Sequence, residues 1–212
     1  MLDPNEFIIS RKRKKYKFAK FANSPLCFEF DEWQPQSVDC LEVGAGTGLF
    51  SVELAKRYPQ KTFVAIDVKG DRLQKGAYAA IELGLNNVWF IRMRADQIDQ
   101  LGFSNLEQIW ITFPDPFPKK RSAGRRLTHA NFLKKYAAIL DKNGAIYLKH
   151  DNEEFFKWSL EQFVQAKWCI KELSFDLHES SLASDYKVFT TYEQRWLEEG
   201  RKTHFLKVGL NS

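Results

Sequence analysis

From residue 38 onward, short apolar runs alternate with stretches whose apolar side chains recur at helical spacing. Residues 38–43, 62–67, 88–93, 109–113 and 145–148 read as buried strands. Residues 49–58, 71–83, 129–140 and 152–163 read as helices, with Gly84 as the stop of the second. Residues 169–177 and 204–210 close the chain as strands. Only a loop and a short helix separate these two, so the terminal strand is expected to be antiparallel. Apolar strands alternating with helices require a parallel sheet covered on both faces. The expected fold is therefore α/β, a doubly wound, mostly parallel seven-stranded sheet. Residues 1–36 are basic and then aromatic (Phe28, Phe30, Trp33), and are expected as an N-terminal arm ahead of a domain over 37–212.

A chain of 212 residues accommodates one such domain, or one with an appendage. The formal charge of +5 is modest, but its distribution is not. Residues 11–20 carry seven cations and no acid, the footprint of phosphate binding. A solvated tail is the alternative for that run. Cys27, Cys40 and Cys169 lie far apart, and neither they nor the four histidines have metal-ligand spacing, so no metal is expected. Free thiols fit a reducing cytoplasm. Acids at Asp3 and Glu6 precede the first apolar run and cations follow it, the wrong order for a signal peptide. No apolar stretch approaches a membrane span.

The first strand runs into Glu42-Val43-Gly44-Ala45-Gly46-Thr47-Gly48 and then into a helix. Glycines at 44, 46 and 48 let the backbone turn tightly and approach a ligand. The dinucleotide fingerprint places its third glycine one residue later and needs no acid before the first. Here an acid is present, which fits a zwitterionic, sulfonium-bearing cofactor with Glu42 near its amino-acid end. Asp67, ending the second strand, is placed to accept hydrogen bonds from both ribose hydroxyls. The combination resembles the class I S-adenosyl-L-methionine-dependent methyltransferases. A turn that merely packs a helix on a strand, or one that binds NAD, is the alternative. Arg94-Ala95-Asp96 follows the third strand, where such enzymes hold adenine. Asp96 is a candidate contact there; a helix N-cap for Asp96 and a solvated charge for Arg94 are the plainer readings.

After the fourth strand comes Phe113-Pro-Asp-Pro-Phe-Pro-Lys-Lys-Arg-Ser-Ala-Gly-Arg-Arg-Leu127. Prolines on both sides stiffen the backbone at Asp115. Lys119, Lys120, Arg121, Arg125 and Arg126 follow on what reads as a flexible cationic loop. In an open α/β sheet, ligands bind beyond the carboxyl ends of the strands at the switch point. Asp115 is therefore the candidate catalytic residue, and a turn capped by its own aspartate is the alternative. This segment is similar to the signature of the bacterial tRNA (guanine-N7)-methyltransferases. His150-Asp151-Asn152-Glu153-Glu154 resembles that family's T-D-N segment, and Thr190-Thr191-Tyr192-Glu193 its T-x-[FY]-E segment.

The resemblance implies methylation of N7 of a guanine in tRNA, at position 46 of the variable loop, with S-adenosyl-L-methionine as cofactor and no protein partner. It implies cofactor contacts at Glu42, Asp67, Asp115 and near Asp96. It implies substrate contacts at Lys119, Asp151, Thr190, Thr191, Tyr192 and Glu193. Three positions depart from the family pattern, Arg94, Phe117 and His150. Asp151 or Asn152 also reads as an N-cap, and Glu193 as a helix-surface acid. Guanine N7 carries an in-plane lone pair, so orientation rather than a strong base is what the reaction needs. A non-catalytic RNA-binding protein and a methyltransferase of another substrate are the rival readings.

Overall fold

The computed structural model describes residues 1–7, 12–190 and 193–211. The helices are α1 (Lys12–Ala22), α2 (Leu49–Arg57), α3 (Gly70–Glu82), α4 (Ala130–Ile139), α5 (Glu153–Gln165) and α6 (Glu193–Glu198). The strands are β1 (Cys27–Glu29), β2 (Cys40–Val43), β3 (Phe63–Asp67), β4 (Val88–Arg92), β5 (Leu106–Thr112), β6 (Leu140–His150), β7 (Cys169–Ser174) and β8 (His204–Gly209). They form one sheet in the order β1-β4-β3-β2-β5-β6-β8-β7. β8 is antiparallel to both β6 and β7, and the other pairings are parallel.

The central strands are buried on both faces, as their unbroken apolar sequences require. Leu41, Val64, Ile109 and Ile146 face one helical layer, which contributes Leu133, Tyr136 and Phe156. Cys40, Ala65, Trp110 and Tyr147 face the other, which contributes Phe50, Leu54, Leu73 and Phe21. Side chains alternate along a strand, so Glu42, Thr112 and Lys149 continue the second row. They come to the carboxyl ends of β2, β5 and β6, where the core gives way to the cavity.

One expectation is corrected. The sheet has eight strands rather than seven, because residues 27–29, within the segment expected as an arm, pair in parallel with β4. Glu29 and Arg92 form an ion pair at 2.7 Å between β1 and β4. α1 packs on α3, with Phe21 buried in the core.

Candidate active site

The order of the sheet reverses between β2 and β5, and a cavity of about 920 Å³ opens at their carboxyl ends. Its lining includes Glu42, Gly44, Gly46, Asp67, Arg94, Asp96, Asp115 and Thr190.

Glu42 is buried, and both of its oxygens are engaged. Ser51 Oγ donates to Oε2 at 2.6 Å and Thr112 Oγ1 donates to Oε1 at 2.8 Å. Burial pushes its pKa up to about 7, against those two hydrogen bonds. The turn beyond it is stitched to β3: the Gly44 and Ala45 N–H groups both donate to the Ile66 carbonyl at 2.9 Å. The Gly46 N–H donates to Asp67 Oδ2 at 2.9 Å, and the Lys69 N–H to Asp67 Oδ1 at 2.8 Å. Each Asp67 oxygen keeps a second lone pair. Gly46 has φ +58° and nothing within 4 Å of where a Cβ would stand, so its backbone is open to a ligand. Gly48, at φ +70°, is required for packing instead, since a Cβ would lie 2.5 Å from the Phe90 ring.

Asp96 is not a side-chain N-cap. Its carboxylate is gripped by Arg94, with Nη2 to Oδ2 at 2.6 Å and Nε to Oδ1 at 3.0 Å. This exposed fork sits on the cavity rim. Arg94 is thus paired rather than a solitary solvated charge.

On the other side of the switch point, the Phe113 N–H donates to the Lys149 carbonyl at 2.9 Å as β5 ends. Phe113 (φ 48°) and Phe117 (φ 40°) are both left-handed, which non-glycine residues adopt only where neighbours hold them. His150 holds the first bend: its Nε2 lies 2.9 Å from the Pro114 carbonyl, while the Asn152 N–H donates to Nδ1 at 2.8 Å. That pattern puts the ring proton on Nε2. Burial lowers the His150 pKa and favours this neutral form. Arg126 holds the second bend. Its Nη2 donates to the Phe117 carbonyl at 3.1 Å, and its guanidinium lies 4.2 Å from the Trp158 ring centre. The Arg125 guanidinium stacks 4.3 Å from the Phe117 ring centre. The cationic loop includes a 3-10 turn over Lys120–Arg125. Asp115 is exposed, lines the cavity and has no ion-pair partner among the described residues.

The expected substrate contacts divide. Thr190 lines the cavity. Thr191 and Tyr192 lie outside the described residues. Lys119 is exposed and lies outside the cavity lining. Asp151 also lies outside it, and accepts from Arg201 Nη1 at 3.0 Å; the N-cap of α5 is Asn152, whose side chain accepts from the Phe155 N–H. Glu193 is not a surface acid and is not among the residues of the cavity lining. It is fully buried, with Lys149 Nζ at 2.7 Å from Oε2 and His178 Nε2 at 2.8 Å from Oε1. Burial alone would raise its pKa, but the bonds from His178 and Lys149 prevail and lower it. Thr112 lines the cavity, and Ser51, Lys149 and His150 bond respectively to Glu42, Phe113 and Pro114, which line it; none of the four was a candidate site residue from the sequence. One signal was available: a lysine directly after the apolar run 145–148.

Among the described residues, no cluster of three or more His, Cys, Asp or Glu side chains is arranged for a metal ion. No described helix is long and apolar enough to cross a membrane.

Residues 36–206 match a protein family described as "Putative methyltransferase". A tRNA (guanine-N(7)-)-methyltransferase of Brevibacillus brevis is 34% identical over 193 residues, covering 89% of each chain. One from Mycoplasmopsis pulmonis is 40% identical over 167 residues, covering 79% of this chain and 82% of that one. Among solved structures, the 16S rRNA methyltransferase KamB superposes with a TM-score of 0.63 at 16% identity, over 84% of this chain and 90% of that one. That likeness establishes the fold, a class I methyltransferase sheet. The glycine turn with its two acids, the proline-bounded Asp115 and these matches agree: the chain belongs to the tRNA (guanine-N7)-methyltransferase family.

Proposed function

We propose that this protein transfers a methyl group from S-adenosyl-L-methionine to N7 of a guanine in tRNA. The observation that carries this reading is one cavity, lined at the β2/β5 switch point by Glu42 and Asp67 on one side and on the other by Asp115, which has no ion-pair partner among the described residues. The residues fit the cofactor. Asp67 offers free lone pairs for ribose hydroxyls, the open face of Gly46 admits a close ligand, and Glu42 offers a buried acceptor for an ammonium group. The Arg94–Asp96 fork stands at the adenine side. When bound, the cofactor supplies an electrophilic methyl on a sulfonium.

Guanine N7 needs no deprotonation. The chain's task is to orient the base and to stabilise the positive charge that develops on the purine. Asp115 is suited to both, because a fixed carboxylate close to the reacting atom acts most strongly in a partly dehydrated cavity. Its position is over-determined by His150 on one side and Arg126 on the other. Thr190, and with it Thr191 and Tyr192, would contact the substrate. N7 lies in the deep, narrow groove of A-form RNA, so the guanine must be exposed or splayed out. Lys119, Lys120 and Arg121 would hold nearby phosphates, and the cations of α1 more distant ones. The catalytic domain on this reading is 37–212, with residues 1–36 acting in tRNA binding. The cell compartment would be the cytoplasm, which suits three free cysteines.

Incubation with radiolabelled cofactor and bulk tRNA tests the reading. Label should enter tRNA, and mapping should find N7-methylguanine. Label in protein or small molecules alone, or in no acceptor, would overturn it.

A further inference from the structure

Lys149 is the last but one residue of β6 and none of its surface is exposed. It pairs in register with Thr112 on β5 and with Phe205 on β8. Its ammonium donates to Glu193 Oε2 at 2.7 Å and to the Val188 carbonyl at 2.8 Å, and lies 5.7 Å from the Phe50 ring centre. Glu193 closes the arrangement. The Thr190 N–H donates to Oε2 at 3.1 Å, and the Glu193 N–H donates back to Thr190 Oγ1 at 3.3 Å. This is a reciprocal capping box at the start of α6. A capping box on a surface helix needs no buried lysine, and burying two ions is costly unless each is fully paired.

The same lysine reaches the rest of the site through its backbone and its strand neighbour. Its carbonyl accepts the Phe113 N–H at the foot of the Asp115 loop, and Thr112 beside it donates to Glu42. One residue thus joins the cofactor wall, the stem of the catalytic loop, Val188 and Glu193.

We propose that the Lys149–Glu193 pair is a positioning clasp that fixes Val188, Thr190 and Glu193 to the ends of β5 and β6, setting Thr190 in the cavity wall, and that Glu193 does not itself touch the RNA. The clasp rests on the reading of the cavity as a tRNA methylation site. It differs from a direct substrate role for Glu193, because Oε2 is already bonded by Lys149 and the Thr190 N–H and Oε1 by His178, and Glu193 is not among the cavity-lining residues.

The variants Lys149→Met, Glu193→Gln and the double substitution test this. Three readouts are taken: kcat and KM for bulk tRNA, cofactor affinity by calorimetry, and hydrogen exchange of the Thr190 amide. Each single variant should raise KM about tenfold, and the double should be no worse than the worse single, since the two act as one unit. Cofactor affinity should stay within about twofold, as no cofactor contact is lost. Thr190 exchange should quicken in all three. A fall in kcat confined to Glu193→Gln, with Lys149→Met near normal, would overturn the clasp and return Glu193 to the substrate. Should Lys149→Met not fold, Thr190 exchange in Glu193→Gln decides alone: unaltered exchange sinks the proposal. The exchange measurement needs no RNA, so it stands apart from any failure of the wild-type protein to methylate tRNA.

Discussion

The buried His150 ring donates from Nε2 to the carbonyl of Pro114 at 2.9 Å, one residue before the only carboxylate on the proline-bounded loop. The bond fixes the approach to Asp115 without engaging Asp115 itself. His150→Ala should leave the Pro114 carbonyl and the Asn152 N–H short of a partner, costing about 1–3 kcal/mol. Because burial lowers the folded-state pKa of His150, its contribution is present above the ordinary value of 6.5 and is lost as pH falls below it. Urea unfolding across this range should show the wild-type losing stability on acidification faster than the variant. Parallel curves would exclude His150 from that slope.

Asp115→Asn removes a charge from an exposed side chain that has no ion-pair partner among the described residues. Thermal stability should therefore change by less than about 0.5 kcal/mol, the usual range for such surface positions. Methyl transfer should fall by orders of magnitude, because the charge proposed to face the purine is gone. A folded variant with near-normal turnover would relocate the catalytic site.

Asp67→Ala deletes two acceptors from the glycine turn as well as those proposed for the ribose. Hydrogen bonds to a charged acceptor are worth about 1.5–3 kcal/mol each. Calorimetry should find cofactor binding weakened by at least one such bond, with tRNA affinity little changed. Equal losses for both ligands would contradict the separation of the two sides of the cavity.

Glu42 carries a pKa raised to about 7 by burial, which has a defined sign for folding. The unfolded chain ionises this group near 4.5, whereas the folded chain holds the proton until about 7. Stability is therefore lost as pH rises across that window, on the order of 3 kcal/mol at most. Glu42→Gln should flatten stability over the same window. Cofactor binding should run the opposite way in the wild type, weakening as pH drops through 7, because a neutral Glu42 attracts an ammonium less strongly. A Gln variant with an undiminished pH dependence of both would exonerate Glu42.

Lys14 and Lys15 lie on α1, which the core anchors through Phe21. Replacing both by Gln should leave the fold intact and raise KM for tRNA. If each contacts one phosphate, the logarithmic salt slope of binding should drop by roughly 0.7–0.9 per residue. Turnover at saturating tRNA should be nearly unchanged. An unaltered salt series would make this face of α1 solvated surface.

Apolar runs and helical periods located most of the elements to within a few residues, because burial on both faces leaves a parallel strand little room for polar residues. Strand β1 escaped for the opposite reason. It is three residues long at a sheet edge, inside a segment dominated by charge, and its pairing with Phe90 to Arg92 is a contact across some sixty residues of chain. Glu42, Asp67 and Asp115 stand out as candidates in the sequence because Glu42 lies at the end of an apolar run just before the glycine turn, Asp67 ends the next apolar run, and Asp115 is held between two prolines. Glu193 was legible as a member of a motif but not as the buried partner of Lys149 and His178. The pattern 190–193 is compatible with a capping box, with a surface acid and with a substrate contact alike.

The sheet class, the glycine turn and the loop that carries Asp115 are written in the order of the residues, since each depends on one short stretch. Tertiary structure alone decided the partners: Thr112 and Ser51 on Glu42, His150 on Pro114, Arg126 on Trp158, Lys149 on Glu193. Those pairs join residues as far as seventy positions apart, as Glu42 and Thr112 are. Their energies depend on burial and on distances of a few ångströms. Neither quantity exists until the strands have been laid side by side, and it is their register that turns a lysine after an apolar run into a buried anchor.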